Sequence, residues 1–311
     1  MKRAVIIGAT SGIGREVAKQ LLLQGWHLGI AGRRLPSLEA LQSSAPDRVE
    51  VAALDVTQPD AAPKLSNLIR RVGGMDLFLL SSGIGYQNIG LNPDIELETT
   101  RTNVEGFTRM VDTAFNYFRE HGGGQLAVIS SVAGTKGLGV APAYSATKRF
   151  QNTYIDALEQ LACMQKLNIC FTDIRPGFVS TDLLNDGKHY PLLMQPEKVA
   201  RQIVRALHHR KRVAVIDWRY AVIVFFWRMI PRWIWKRLPI RTGKTMWQEY
   251  ISLLNNSLKT KKEWNRNFAR AAVCRLARKY WEQKKMVART KNTAPIVMPT
   301  DISPWIARWT K

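Results

Sequence analysis

The chain has little cysteine: three residues, Cys163, Cys170 and Cys274, an odd number without metal-ligand spacing. That sets aside a disulfide framework and a cysteine-bound metal, and suits reduced thiols in a cytoplasmic protein. The five histidines are scattered, and His208-His209 reads as a solvated helix end, so no metal site is expected. There is no internal repeat and no low-complexity stretch. Long apolar runs are also missing. The start, Met1-Lys-Arg and the apolar residues after it, is too short for a secretion signal and leads into a glycine turn. Tyr220 to Trp227 is strongly apolar, but Arg228, Pro231 and Arg232 break it short of the ~20 residues that span a bilayer. Acid is scarce in one region. Residues 1–209 hold 22 Lys and Arg against 19 Asp and Glu, a net of +3; residues 210–311 hold 24 against 5, a net of +19. The net charge of +22 therefore belongs almost wholly to the C-terminal third.

What is present suits a globular protein with one sizeable core: 311 residues, 46% of them hydrophobic. Ala4-Val-Ile-Ile is a short apolar run that ends in Gly8-Ala-Thr-Ser-Gly-Ile-Gly14. Arg15 to Leu23 follows with Val17, Ala18, Leu21 and Leu22 at helical spacing. This is strand, glycine turn, helix. Gly8 permits the tight turn, Gly12 lets backbone approach a pyrophosphate, and Gly14 lets the helix pack on the strand. The free N–H groups and dipole of the helix N-terminus favour a phosphate there.

Further strands are predicted at Trp26–Gly32, Val49–Val56, Met75–Leu80, Leu126–Ser130, Asn168–Ile174 and Val213–Ile216, with helices between them. The fourth is uniformly apolar, as a parallel strand buried on both faces is. One long helix is expected from Leu97 to Arg119, ended by Gly122-Gly-Gly. Two more are expected, one starting near Tyr144 and one over Pro196–Leu207. Tyr144 and Lys148 are four apart and share a helix face. A phenol has an ordinary pKa near ~10, and an ammonium one turn away favours its ionised form. A phenol tuned in this way can exchange a proton with a substrate oxygen. Ser131, at the end of an apolar run, has a hydroxyl that can hold a substrate carbonyl beside it.

The spacing Gly-x-x-x-Gly-x-Gly, then Ser131, Tyr144-x-x-x-Lys148 and Pro176-Gly177, resembles the short-chain dehydrogenase/reductase family over about residues 2–216. The resemblance implies an α/β fold: a Rossmann-type, doubly wound parallel sheet. It implies hydride transfer between a nicotinamide cofactor and a carbonyl or alcohol carbon. Tyr144 is then the general acid/base, Ser131 orients the substrate oxygen, and Lys148 lowers the tyrosine pKa and binds the nicotinamide ribose. Asn103 matches the helix asparagine of a water-mediated proton relay. Cofactor contacts fall to Gly8, Thr10, Ser11, Gly12, Ile13 and Gly14, to Asp55 and Val56 at the adenine, and to Ser82 and Gly83. Pro176, Gly177, Val179 and Thr181 lie at the nicotinamide. Asp55 also reads as a turn or cap residue before Thr57-Gln-Pro. Two departures stand out. Ile7 replaces the usual threonine before the first glycine, and Leu80-Ser-Ser-Gly83 replaces an asparagine motif. Ser81 or Ser82 is expected to supply some of the lost bonds.

Arg33 and Arg34 follow the second strand, where this fold meets the adenosine ribose, and the next acid is Glu39 inside a helix. Arginine suits the 2′-phosphate of NADP, so NADP(H) is expected over NAD(H). Leu183 to Gln195 reads as a substrate-side loop of the kind that acts as a lid.

The chain divides into a catalytic domain over 1–217, an apolar and basic segment over 218–245, and a basic, mainly helical extension over 246–311. In the middle segment Trp227, Trp233 and Trp235 are mixed with Arg228, Arg232, Lys236 and Arg237. It either closes the substrate pocket, forms a subunit interface or lies on an anionic membrane surface. In the extension Trp264, Phe268, Ala272, Leu276 and Tyr280 form a helical stripe flanked by Arg270, Arg275, Arg278 and Lys279. Pro295, Pro299 and Pro304 mark an irregular tail. The expected partners are a small hydrophobic carbonyl or alcohol substrate, a second copy in a homo-oligomer, and a membrane surface, rather than nucleic acid. The alternative function is a cofactor-sensing protein that acts through the basic extension.

Overall fold

Short apolar runs become strands, the inner ones buried on both faces, and the sheet they form is entirely parallel. The computed structural model describes residues 1–184, 190–238 and 240. Strands β1 (Arg3–Ile7), β2 (His27–Gly32), β3 (Val49–Ala53), β4 (Leu77–Leu80), β5 (Gly124–Ile129), β6 (Ile169–Arg175) and β7 (Val213–Val215) lie in the order β3-β2-β1-β4-β5-β6-β7. Alternation along β1 shows why both faces need cover: Ala4 and Ile6 enter one core, Val5 and Ile7 the other. Helices α1 (Gly12–Leu23), α2 (Leu35–Gln42), α7 (Pro196–His208) and α8 (Trp218–Met229) cover the first face. Helices α3 (Ala61–Val72), α5 (Phe107–Glu120) and α6 (Pro142–Met164) cover the second. Two short helices, α4 (Pro93–Thr100) and α9 (Arg232–Trp235), complete the described α-helices. The strand order reverses between β1 and β4. In an open parallel sheet that switch leaves a crevice at the carboxyl ends of the strands.

Two local readings change. The expected helix Leu97–Arg119 is α4 and α5 joined by a π-turn over Arg101–Gly106. Its apolar spacing continues through the turn, so periodicity did not show the break. Among the described residues the side chains of Ser81 and Ser82 supply none of the expected bonds. Their backbone N–H groups reach the Ile7 carbonyl at 2.8 and 3.1 Å, and Asn103 holds the chain beyond them. His208 and His209 do form an exposed helix end, where His208 Nε2 lies 2.7 Å from Gln24 Oε1 and its ring packs edge-on to Trp26. The stripe from Trp264, the proline tail and residues 185–189 of the expected lid lie outside the described residues.

Candidate active site

The glycine turn follows β1 at the switch crevice. Gly8 has φ +91°, and a Cβ there would come within 2.6 Å of the Ser82 nitrogen, so this position needs glycine on two counts. Ser11 stands at the N-cap of α1 but makes no capping bond, and the first turn of α1 carries no acid. Its hydroxyl faces a cation instead. Arg34 Nη2 donates to Ser11 Oγ at 2.6 Å and to Thr10 Oγ1 at 3.2 Å. Both terminal nitrogens of Arg34 also reach Asp182 Oδ2 at 3.2 Å. A carboxylate thus sits on the guanidinium fork of Arg34, which the two hydroxyls hold as acceptors; such a fork also fits other anions. Arg33 is exposed at the same turn. Thr181 lies over Gly12, where a Cβ would be 3.0 Å from its Cγ2. Ile13 packs partly into the core. Val56 is buried beside Gly106, and Asp55 Oδ1 accepts from Thr57 N and Oγ1 at 2.9 and 2.8 Å, the turn role of such an aspartate.

The second half of the crevice is made by the ends of β4, β5 and β6. Ser131 follows β5, accepts from Ala133 N at 3.1 Å and donates to the Pro176 carbonyl at 3.4 Å. Tyr144 and Lys148 stand on α6. Burial raises the Tyr144 pKa above its ordinary value, and a hydrogen bond with Ser131 pulls in the other direction. The Lys148 Nζ lies 5.8 Å from the centre of the Tyr144 ring. Burial lowers the Lys148 pKa to about 8, opposed by the charge of Asp173. The anticipated lowering of the Tyr144 pKa by its lysine is therefore outweighed here by burial. Asn103, fully buried, exchanges bonds with Ile84: Oδ1 accepts from its nitrogen at 2.9 Å and Nδ2 donates to its carbonyl at 2.6 Å. Gly83 lies between Asn103 and Lys148. The side chain of Gln151 bridges the Asn103 carbonyl and Lys148.

Several contributing residues carry no local signal in the sequence. A Cβ on Gly85 would come within 2.3 Å of Tyr144 Cδ2, so the tyrosine ring lies flat against this glycine. Behind Ser131, the buried Asp173 accepts from Ser130, from Asn152 Nδ2 at 2.9 Å and from Arg175 Nη2 at 2.6 Å. Gly177 is covered by the ring of Tyr220 from α8, whose hydroxyl accepts from Phe178 N at 3.0 Å and donates to the Pro191 carbonyl at 3.1 Å. The bridge Val179–Met194 and the packing of Tyr190 on Phe178 tie the far end of the substrate-side loop to Pro176–Val179. Among the described residues no cluster of His, Cys, Asp and Glu could hold a metal.

Comparison with known proteins agrees with this geometry. A family model described as short chain dehydrogenase matches residues 2–190. An uncharacterized oxidoreductase of Myxococcus xanthus is 30% identical over 239 residues, covering 74% of this chain and 93% of its own length. Dehydrogenase/reductase SDR family member 7B of Xenopus tropicalis is 29% identical over 236 residues, 68% of this chain and 76% of its own. The fold matches the crystal structure of a short-chain dehydrogenase from Streptomyces avermitilis with a TM-score of 0.65 at 23% identity, over 72% of this chain and 92% of that one. The chain belongs to the short-chain dehydrogenase/reductase family of oxidoreductases, which bind nicotinamide cofactors.

Proposed function

We propose that this protein is an NADP(H)-dependent oxidoreductase that interconverts a small hydrophobic carbonyl compound and its alcohol. The observation that carries the reading is the buried Tyr144, beside Lys148 on α6 and under the influence of Ser131, in one crevice with the turn at Arg34. The turn from Gly8 to Gly14, with Thr10, Ser11 and Ile13, would hold the pyrophosphate, and Arg33 and Arg34 the 2′-phosphate. Asp55 and Val56 would meet the adenine; Ser82, Gly83, Lys148, Pro176, Gly177, Val179 and Thr181 would enclose the nicotinamide riboside. Bound there, the cofactor supplies or accepts a hydride. The chain's own part is proton management. Ser131 holds the substrate oxygen beside the phenol while negative charge grows on it. Tyr144 gives that oxygen a proton in reduction and takes it back in oxidation. A phenol whose pKa is raised by burial stays protonated at neutral pH, which suits reduction. Exposed Tyr86, Ile89 and Leu91 follow Gly85, and exposed Leu193 lies on the substrate-side loop, apolar surface of the kind that lines a ligand groove.

A panel of ketones, aldehydes and secondary alcohols with NADPH or NADP⁺ tests the reading. Turnover is expected, and reduction should fall as pH rises through about 8, where Lys148 loses its charge. Tight cofactor binding with no turnover on any member would replace the reading with a cofactor sensor.

We further infer a site of action at the surface of an anionic membrane, from the cytoplasmic side, with residues 1–217 as the catalytic domain and homo-oligomers as its working form. Trp218, Phe225, Met229 and Trp233 are exposed at 55%, 61%, 47% and 54%. The first three share the outer face of α8, while Tyr220 and Val224 face the core. Arg228, Arg232, Lys236 and Arg237 lie beside them and form no ion pair among the described residues. No acid occurs between Asp217 and Glu249. Basic groups beside exposed aromatics suit an anionic lipid surface as the cover for this face. The tryptophans divide: Trp235 donates to the Gly137 carbonyl at 2.7 Å and meets Trp227 edge-on, whereas Trp233 is exposed.

A further inference from the structure

Gln151 lies on α6 one turn beyond Lys148 and is 1% exposed. Both ends of its amide are engaged. Lys148 Nζ donates to its Oε1 at 3.0 Å, and its Nε2 donates to the Asn103 carbonyl at 2.9 Å. The other acceptor of Lys148 is the Ile129 carbonyl at 3.1 Å. Asn103 continues the chain through Nδ2 to Thr147 Oγ1 at 3.2 Å and to the Ile84 carbonyl. The chain from the ammonium to the π-turn therefore runs directly between buried protein groups.

We propose that Gln151 is a positioning residue for the reaction: its amide fixes the Lys148 ammonium behind Tyr144 and ties it to the π-turn at Asn103. The inference rests on the oxidoreductase reading. An amide donates from nitrogen and accepts at oxygen, so both ends of Gln151 hold their partners at once. The bond to Oε1 also favours the charged lysine against the burial that depresses it. The titratable groups facing Lys148 are Tyr144 on its own helix and Asp173 on β6, the latter paired with Arg175. Arg101 and Glu105 of the π-turn are exposed.

Two variants separate this role from packing. Gln151→Leu keeps the side-chain volume and removes both bonds. Gln151→Glu keeps an acceptor for Lys148 and adds a negative charge. In the pH dependence of kcat, the limb set by Lys148 should move down by about one pH unit in Gln151→Leu, with kcat reduced about tenfold, and move up in Gln151→Glu. Thermal melts establish that both variants fold. Limbs that stay in place, or that both move the same way, overturn the proposal. The ¹⁵N NMR titration of the Lys148 ammonium reads the same two shifts without turnover. An inactive wild-type protein would thus defeat the oxidoreductase reading, while the hold of Gln151 on Lys148 stands or falls on the titration.

Discussion

Arg34 joins three segments that are far apart in sequence: its own turn after β2, the hydroxyls of Thr10 and Ser11, and Asp182 beyond β6. Its guanidinium offers a fork that fits a phosphate, and Asp182 holds that fork through a single oxygen. Replacing Arg33 and Arg34 with alanine should weaken NADPH binding by about 2–4 kcal/mol, because charge-assisted bonds contribute ~1.5–3 kcal/mol each and add incompletely. NADH binding should change little, and Asp182→Asn should tighten NADPH by freeing the fork. Titration calorimetry with both cofactors checks this; equal wild-type affinity for NADH and NADPH would contradict it. At this scale the sequence was legible wherever chemistry followed short spacing. Tyr144 and Lys148 are one turn apart, and the glycines of the first turn fall within seven residues. Gly85, Gln151 and Asp182 were not legible. The first works by lying under a ring some sixty residues away in sequence, the others by bonds across the fold.

Among the elements, β6 does more than complete the sheet. Asp173 and Arg175 point to the same side of the strand and pair inside the protein, at 0% and 8% exposure. Ser130 and Asn152 fill the remaining acceptor positions of the carboxylate, so the end of β5, helix α6 and β6 are locked together behind Ser131. Removing the acid leaves Arg175 buried without its counter-charge. Asp173→Ala should therefore cost about 3–5 kcal/mol, more than a surface ion pair would. Denaturant unfolding measures it, and a loss below about 1 kcal/mol would show that the pair contributes little. The strands and most helices followed directly from short apolar runs and helical periodicity, because a parallel sheet covered on both faces needs both. The π-turn at Asn103 escaped, since one additional residue in a helical turn leaves the apolar spacing almost unchanged.

Over the whole molecule the charge is divided sharply, with the body near balance and the C-terminal third strongly basic. Segment α8–α9 begins that third and packs on the site. Lys136, just after the turn that follows Ser131, donates to the Ile230 carbonyl at 2.8 Å, and Tyr220 lies on Gly177. No described helix is long and apolar enough to cross a membrane. The full-length protein should co-sediment with phosphatidylserine-containing vesicles at low salt and leave them as salt rises, since each basic residue near such a surface contributes ~1 kcal/mol and is screened. Exchanging the outward Trp218, Phe225 and Trp233 for serine should reduce binding and leave turnover of a soluble substrate unchanged. A wild-type protein that stays in the supernatant rejects the membrane surface. Undiminished binding of the triple variant would move the contact to the basic extension, and a change in its oligomeric state would make the face a subunit interface.

Proton transfer by Tyr144 is the central claim, and one substitution isolates it. Tyr144→Phe keeps the ring against Gly85 and removes only the hydroxyl. Single-turnover reduction of a carbonyl substrate, with NADPH affinity measured in parallel, is the direct test. The account predicts cofactor affinity within about twofold of wild type, and a rate reduced by at least the ~10²–10⁴-fold that general acid catalysis contributes. A variant that retains more than about a tenth of the wild-type rate would contradict it.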